Sequence, residues 1–291
     1  MRYLFIVNPL AGVGGKRKFP ELIYNTFRNN PADIKVLFTR CSGDAKVIIK
    51  EYLNDFDVFV AVGGDGTTNE VASMVAGTEK VMGLIPAGSG NALGRELGIS
   101  MTPSLALKDL VQSEIRSIDT AVINDRFRFV NACGFGFDEH IARCFNQSIM
   151  RGPVSYFSLV LKEFPVYNSH SYEIDIDGIQ LNKKAFVLTI ANTSQYGNNA
   201  FIAPKAVIND GILDICIMSP FWVGVAPEMI LRLLNKQLDS SRYCEYYKGK
   251  KITIKGTNLN YQIDGEPVEN SQEVEIKIDP LSLKILAPSK K

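Results

Sequence analysis

Two periods of apolar and polar positions succeed one another along this chain. In the first part, apolar runs at 3–7, 34–38, 58–62 and 81–85 read as short buried strands. Between and after them, apolar positions recur at helical spacing over 19–27, 44–53, 67–76 and 92–97. Strand, loop and helix repeated in this way predict an open α/β layer, Rossmann-like, whose functional loops follow the C-terminal ends of the strands along one edge.

After a further helix near 104–111 the period shortens to two. Tyr172, Ile174 and Ile176 alternate with Glu173, Asp175 and Asp177 before Gly178. Short strands are predicted at 185–191, 212–218, 251–255, 259–263, 273–278 and 282–286, which together suggest an antiparallel β-sandwich. The predicted domains are 1–122 and 123–291, with the extreme C-terminus left open to return to the first. Helices at 153–164 and 225–238 interrupt the strands. Their apolar stripes, Val154, Phe157, Leu161 and Phe164 on one and Met229, Ile230, Leu233 and Leu234 on the other, read first as core. The second reading is an acyl-chain pocket or a bilayer contact.

Composition narrows the functional classes. A formal net charge of +1 gives no electrostatic case for nucleic acid as a partner. Five scattered cysteines, Cys41, Cys133, Cys144, Cys216 and Cys244, form no C-x-x-C pair, which speaks against a disulfide framework or a zinc site. They are expected to be reduced core thiols. With His140 and His170 the only histidines, a histidine-rich metal centre is excluded. No apolar run reaches membrane-spanning length and the first apolar run is too short for a signal peptide, so a cytoplasmic protein is expected.

The candidate chemistry sits in the loops. The third strand breaks into Gly63-Gly-Asp-Gly-Thr-Thr-Asn-Glu70, and glycine-rich loops also follow the first and fourth strands. Glycines let backbone N–H groups approach a ligand, and a helix start favours negative charge, so three such loops on one edge point to a phosphate-bearing ligand. The glycines at 12, 14 and 15 fit neither the dinucleotide fingerprint nor the P-loop, because Arg17 stands where a third glycine, or a Ser or Thr after Gly15-Lys16, would be needed. Asp65 is open to two readings at this point. Beside phosphates it meets a divalent cation or accepts a proton; otherwise it merely caps the helix that this loop opens.

Asn8-Pro-Leu-Ala-Gly12, Gly63-Gly-Asp-Gly-Thr-Thr-Asn-Glu-Val71 and Pro86-Ala-Gly-Ser-Gly-Asn-Ala-Leu93 resemble the diacylglycerol kinase catalytic family. That family includes bacterial soluble lipid kinases and is related to sphingosine and ceramide kinases. Gly134-Phe-Gly-Phe-Asp138, Asn209-Asp-Gly-Ile-Leu-Asp214 and Asp264-Gly-Glu-Pro267 follow in the family's order, so the resemblance covers nearly the whole chain. It implies an NAD kinase-like α/β domain followed by the β-sandwich, with the active site in the cleft between them.

Carried over by position, the resemblance implies that ATP lies across Asn8, Pro9, Gly12, Thr39, Gly63, Gly64, Asp65, Gly66, Thr67, Thr68, Asn69 and Ser89. Magnesium is implied near Asp65, and a structural magnesium at Asp210 with the main-chain carbonyls of Val207 and Ile212, assisted through water by Asp214. The general base is implied at Glu266, with Asp264 and Asp65 as the other candidates. Asp138 matches a residue that faces the lipid head group. The implied activity is ATP-dependent phosphorylation of a lipid hydroxyl, diacylglycerol giving phosphatidic acid. The alternatives are a soluble-substrate kinase of the NAD kinase type and a non-catalytic nucleotide-binding regulator. The expected partners are ATP and a lipid presented at a membrane surface or in micelles, with peripheral membrane contact at the inner face and a homodimer left open.

Overall fold

The computed structural model describes residues 1–11, 19–28, 32–148 and 153–289. It divides into two compact units, Met1–Ile118 with Leu281–Lys291, and Asp119–Pro280.

In the first unit β1 (Arg2–Val7), β2 (Asp33–Phe38), β3 (Val58–Gly63) and β4 (Val81–Pro86) form a parallel sheet in the order β4-β3-β1-β2. Every residue of β3 and β4 is buried, which is why their sequences are continuous apolar runs rather than alternating ones. Phe5 and Phe59 are fully buried, each contributing about 2 kcal/mol through the area removed from water. The helices are α1 (Phe19–Phe27), α2 (Asp44–Tyr52), α3 (Asp65–Val75), α4 (Ala92–Glu96) and α5 (Pro103–Gln112). Pro103 supplies a first-turn φ for α5, whose buried Ala106, Leu107 and Leu110 share one face. A side-chain carbon at Gly83 would stand 2.9 Å from Leu110 Cδ1, so this glycine lets α5 lie close on β4.

The parallel ladders run on into the loops. Asn8 N donates to Val62 O at 2.9 Å, Thr39 N to Val7 O at 2.9 Å and Ala87 N to Gly63 O at 2.8 Å. The loops after β1, β2, β3 and β4 therefore leave the sheet side by side, as the sequence predicts for an open α/β edge.

The second unit is built from β5 (Glu114–Ile123, which begins in the first unit), β6 (Phe127–Phe129), β7 (Ala132–Gly136), β8 (His170–Ile176), β9 (Ile179–Ala185), β10 (Val187–Ala191), β11 (Leu213–Met218), β12 (Cys244–Gly249), β13 (Lys251–Ile263) and β14 (Glu266–Ala287). One antiparallel layer runs β12-β11-β10-β7-β13, and β9 and β8 join the other end of β13. β13 serves both: Ile252 to Lys255 pair with β8, Tyr261 to Ile263 pair with β7, and register shifts between Lys255 and Tyr261 bend the strand. Phe129, Phe135, Ile174, Ile190, Ile215 and Ile254 fill the sandwich interior.

A second cluster holds Phe137, Ile141, Phe186, Met218 and Met229, and it draws on α6 (Phe137–Gln147), α7 (Pro153–Glu163) and α8 (Ala226–Leu234). Phe164 packs against this cluster and Met229 lies in it, while Leu161 and Leu234 are exposed. The side chains of Val154 and Phe157 lie outside the described residues. The helix expected over 225–238 stops at Leu234, because Lys236 takes a left-handed backbone that no continuing helix permits.

Two Asp-Gly pairs close hairpins in the same way. Asp177-Gly178 joins Ile176 to Ile179, Asp264-Gly265 joins Ile263 to Glu266, and all four turn residues have positive φ. That is the two-residue turn whose twist matches the flanking strands.

Candidate active site

In the first unit the residues of the glycine loop tie its neighbours together. Asp65 opens α3, yet its carboxylate accepts the backbone N–H of Asn91 on Oδ2 at 2.9 Å and that of Ala92 on Oδ1 at 2.8 Å. It thus anchors the start of α4, a different helix from the one it belongs to. Glu70, on the same helix, does the same for α2, accepting from Gly43 N at 2.7 Å and Ala45 N at 3.1 Å. One helix therefore fixes the loops after β2 and β4 through two carboxylates.

The glycines have equally local reasons. A side-chain carbon at Gly88 would stand 2.4 Å from the Cα of Gly64, so the turns after β3 and β4 touch backbone to backbone. One at Gly63 would stand 2.5 Å from Thr67 Oγ1. Asn91 closes its own turn, accepting from Gly88 N and donating to Gly88 O, both at 2.9 Å. Asn8 donates to Thr67 Oγ1 at 3.1 Å and accepts from Leu10 N at 2.9 Å. Thr68 donates to Gly64 O at 2.9 Å and Asn69 Oδ1 accepts from Ser73.

Thr39, Thr67 and Thr68 are therefore buried supports of the edge, while Pro9 and Ser89 are exposed on it and Gly64 and Gly66 are half-buried. Gly12 lies outside the described residues. The residue before α3 is Gly64, which has no side chain with which to cap the helix, and a helix start of this kind suits an anion.

In the second unit the Asp264 hairpin is bolted to the start of β7. Asp264 Oδ2 accepts from Val130 N at 3.0 Å, and Oδ1 accepts from Asn131 N at 2.9 Å and Ala132 N at 3.0 Å. Its own N–H donates to Ala132 O at 3.0 Å. Glu266, two residues on, is exposed.

The same hairpin reaches Asp138 through Gln262. Gln262 Oε1 accepts from Gly265 N at 2.6 Å, and Gln262 Nε2 donates to Asp138 Oδ2 at 3.1 Å. Tyr196 donates its hydroxyl to the same Asp138 oxygen at 2.8 Å. Burial pushes the Asp138 carboxyl up to about 6, against the opposing pull of those two donors. A side-chain carbon at Gly134 would stand 1.8 Å from Asp138 Oδ2, so the glycine makes room for this carboxylate. Gly136 takes φ +83, where a side-chain carbon would also press on Phe186 O at 2.6 Å. Two glycines and an aspartate in Gly134-Phe-Gly-Phe-Asp138 are thereby accounted for.

The Asn209 to Asp214 turn carries oxygen ligands of the kind magnesium takes. Asp210 N donates to Val207 O at 3.3 Å, and Ile212 N donates to Asp210 Oδ1 at 3.2 Å. Lys248 Nζ lies 3.4 Å from Asp210 Oδ2 and 3.3 Å from Asp214 Oδ2. Burial pushes the Asp214 carboxyl up, with Lys248 opposing. The donor set fits a hard cation, and Lys248 is the charge that such an ion would have to displace from Asp210.

Several residues escaped the sequence reading. Asp119 is fully buried and accepts from Gly211 N at 2.7 Å, so it supports the Asn209–Asp214 turn. A charged residue inside the apolar stretch Ile118-Asp-Thr-Ala-Val-Ile123 was the available signal. Asn192 bridges Asp119 O and Val130 O at 2.8 Å each. Tyr196 and Gln262 had none, since each acts through a partner far away in sequence, while Glu70 stood in the glycine-loop motif without a role of its own.

Comparison with known proteins bears on the whole chain. Residues 2–123 match the family model of the diacylglycerol kinase catalytic domain, and residues 131–287 match that of the YegS C-terminal NAD kinase beta sandwich-like domain. The diacylglycerol kinase of Bacillus subtilis (strain 168) is 26% identical over 272 residues, 91% of this chain and 89% of that protein. A "Probable lipid kinase YegS-like" protein of Klebsiella pneumoniae (strain 342) is 28% identical over 284 residues, 96% of this chain and 94% of that one. A crystal structure of a diacylglycerol kinase from Bacillus anthracis str. Sterne superposes with a TM-score of 0.78 at 20% identity, covering 99% of this chain and 97% of that chain. At that identity the likeness is one of fold.

Proposed function

The chain belongs to the diacylglycerol kinase catalytic family of lipid kinases, and on that footing we propose that it transfers the γ-phosphoryl group of ATP to a lipid hydroxyl, diacylglycerol being the acceptor and phosphatidic acid the product. The observation that carries this is the Asp65 latch, which holds the two glycine turns after β3 and β4 against each other at 2.8 and 2.9 Å. Phosphoryl transfer needs positioning and charge neutralisation more than covalent chemistry, and rigid glycine turns supply the first. The first unit takes ATP along Asn8, Pro9, Thr39, Gly63 to Asn69 and Ser89. Magnesium, when bound, neutralises the charge on the phosphates.

The three candidate bases differ in exposure: Asp264 is buried, Asp65 half-buried and Glu266 exposed. Asp264 spends its carboxylate on three backbone N–H groups, so it sets the hairpin rather than taking a proton. Asp65 spends its own on two. Glu266, exposed on the hairpin that Asp264 anchors, is the base that accepts the proton of the lipid hydroxyl. Asp138 faces the head group, oriented by Tyr196 and Gln262. Val207, Asp210 and Ile212, backed by Asp119, hold a structural magnesium.

No helix among the described residues is long and apolar enough to cross a membrane. Contact with the cytoplasmic membrane surface is assigned to the region around α8, where Trp222 is 75% and Leu231 61% exposed beside Arg232 and Lys236.

The test is phosphoryl transfer from ATP with magnesium to diacylglycerol, ceramide and sphingosine in detergent micelles, with NAD as a soluble acceptor, for the native chain and Glu266→Gln. Transfer to diacylglycerol that Glu266→Gln loses is the expected result. Transfer to NAD alone would sink the lipid assignment.

A further inference from the structure

α6 and α7 bring together three side chains that the kinase reading does not use. His140 and Cys144 stand one turn apart on α6, and Glu163 closes α7. His140 Nε2 lies 2.9 Å from Glu163 Oε2, and Cys144 Sγ lies 3.8 Å from the same nitrogen. The three ligand atoms are all within 4.8 Å of one another and all three residues are half-buried. In a tetrahedral zinc shell, nitrogen, oxygen and sulfur ligands stand roughly 3.3–3.7 Å apart, so movements of well under a rotamer change would close the set around an ion.

We propose that His140, Cys144 and Glu163 bind a divalent transition-metal ion of the zinc class, with water in the fourth position. The site joins the middle of α6 to the end of α7.

The charges balance. A neutral imidazole, a thiolate and a carboxylate together carry two negative charges against the two positive charges of the ion. On coordination the Cys144 S–H bond breaks, its proton leaves to solvent, the sulfur–metal bond forms, and no electron is transferred. Neighbouring cations do not pre-empt the site. Arg143 turns its guanidinium to Glu139 at 2.6 Å, and Lys162 lies 3.8 Å from Oε1 of Glu163, leaving Oε2 to the histidine. A plain His140–Glu163 ion pair between helices would give Cys144 no part, and the thiol is what separates the two arrangements.

The sequence spoke against zinc because no C-x-x-C pair is present. Here the ligands come instead from an i, i+4 pair on one helix and one residue on the next, a spacing that such a motif does not describe.

The experiment uses the full, untagged chain stripped with a chelator and titrated with zinc against a chromophoric competitor, then with cobalt. The expected result is one ion per chain and a thiolate-to-cobalt charge-transfer band. Cys144→Ser should abolish the band and weaken zinc by more than ~100-fold, beyond the ~10–100-fold that loss of an outer-shell partner costs. Glu163→Gln should weaken zinc while keeping the band, and Cys41→Ser, at an exposed thiol, should change neither. Absence of zinc binding, or equal binding and an unchanged band in Cys144→Ser, overturns the proposal. Should Cys144→Ser fail to fold by circular dichroism, the native band and the Glu163→Gln affinity decide it. The kinase assignment stands or falls separately.

Discussion

Asp65 Oδ1 accepts the backbone N–H of Ala92 at 2.8 Å, across 27 residues of chain. The aspartate of the third loop is therefore the N-terminal anchor of the helix after the fourth. The cap that the sequence placed on the helix opened by the glycine loop lies instead on α4.

Asp65→Ala is accordingly expected to do two things. It should lower stability by about 1–2 kcal/mol, the usual cost of a lost cap, and it should abolish turnover. Urea denaturation and the transfer assay read these separately. An unchanged denaturation midpoint would show that the latch is not held in solution.

Asp264 and Glu266 should part company. Asp264→Ala leaves the N–H groups of Val130, Asn131 and Ala132 without their acceptor in a buried place, at a cost of about 3 kcal/mol or more. Glu266→Gln, at an exposed position, should change stability by no more than about 0.5 kcal/mol while kcat falls by about 10²–10⁴. Equal stability of the two variants would contradict the assignment of roles.

Asp138 makes a prediction about pH. Its carboxyl is raised from 3.8 to about 6 by burial. Between those values the native state keeps a proton that the unfolded chain has released, so stability falls as pH rises through the window. Above about 6 the cost of the buried charge is fully present and no longer varies. Asp138→Asn should flatten that decline, seen by comparing denaturation midpoints near pH ~4 and ~7. Tyr196→Phe removes a donor to the charged form, so it should move the Asp138 titration upward in a carboxyl-resolved NMR titration.

Lys248 competes for Asp210 with any cation. Lys248→Met should enlarge the shift in melting temperature that magnesium produces in the absence of ATP. A shift equal to that of the native chain would remove the Asp210 turn as a magnesium site.

Trp222→Ala should weaken sedimentation with anionic lipid vesicles and leave turnover on a detergent-dispersed lipid unchanged. Undiminished vesicle binding would place the membrane contact elsewhere than near α8.

The sequence made the first unit legible because its signals are local. Runs buried on both faces, such as Val58 to Val62, cannot be mistaken for amphipathic helices when glycines end them. The second unit was harder to read. β9, with Ile-Gln-Leu-Asn-Lys-Lys-Ala, shows mostly exposed residues, and β12, Cys-Glu-Tyr-Tyr-Lys-Gly, lacks a clean alternation. Both owe their strand state to pairing with β8 and β11 rather than to their own composition. α6 was missed although Phe137, Ile141, Ala142, Cys144 and Phe145 recur at helical spacing, so its signal was local and present in the sequence. Candidate residues stood out where a motif marked them, as at Asp65 and Asp264. Tyr196 and Gln262 act through long-range hydrogen bonds, which leave no trace in local spacing.

β14 begins at the Asp264 hairpin and ends parallel to β4, with Lys284 opposite Val81 and Ile285 opposite Met82. During synthesis on the ribosome the first unit must therefore wait, one strand short, while all of Asp119–Pro280 is made. An apolar edge along Val81 and Met82 stays open through that interval. A nascent chain stalled before residue 281 would carry an unfinished parallel sheet together with a complete second unit, the kind of intermediate on which a chaperone acts.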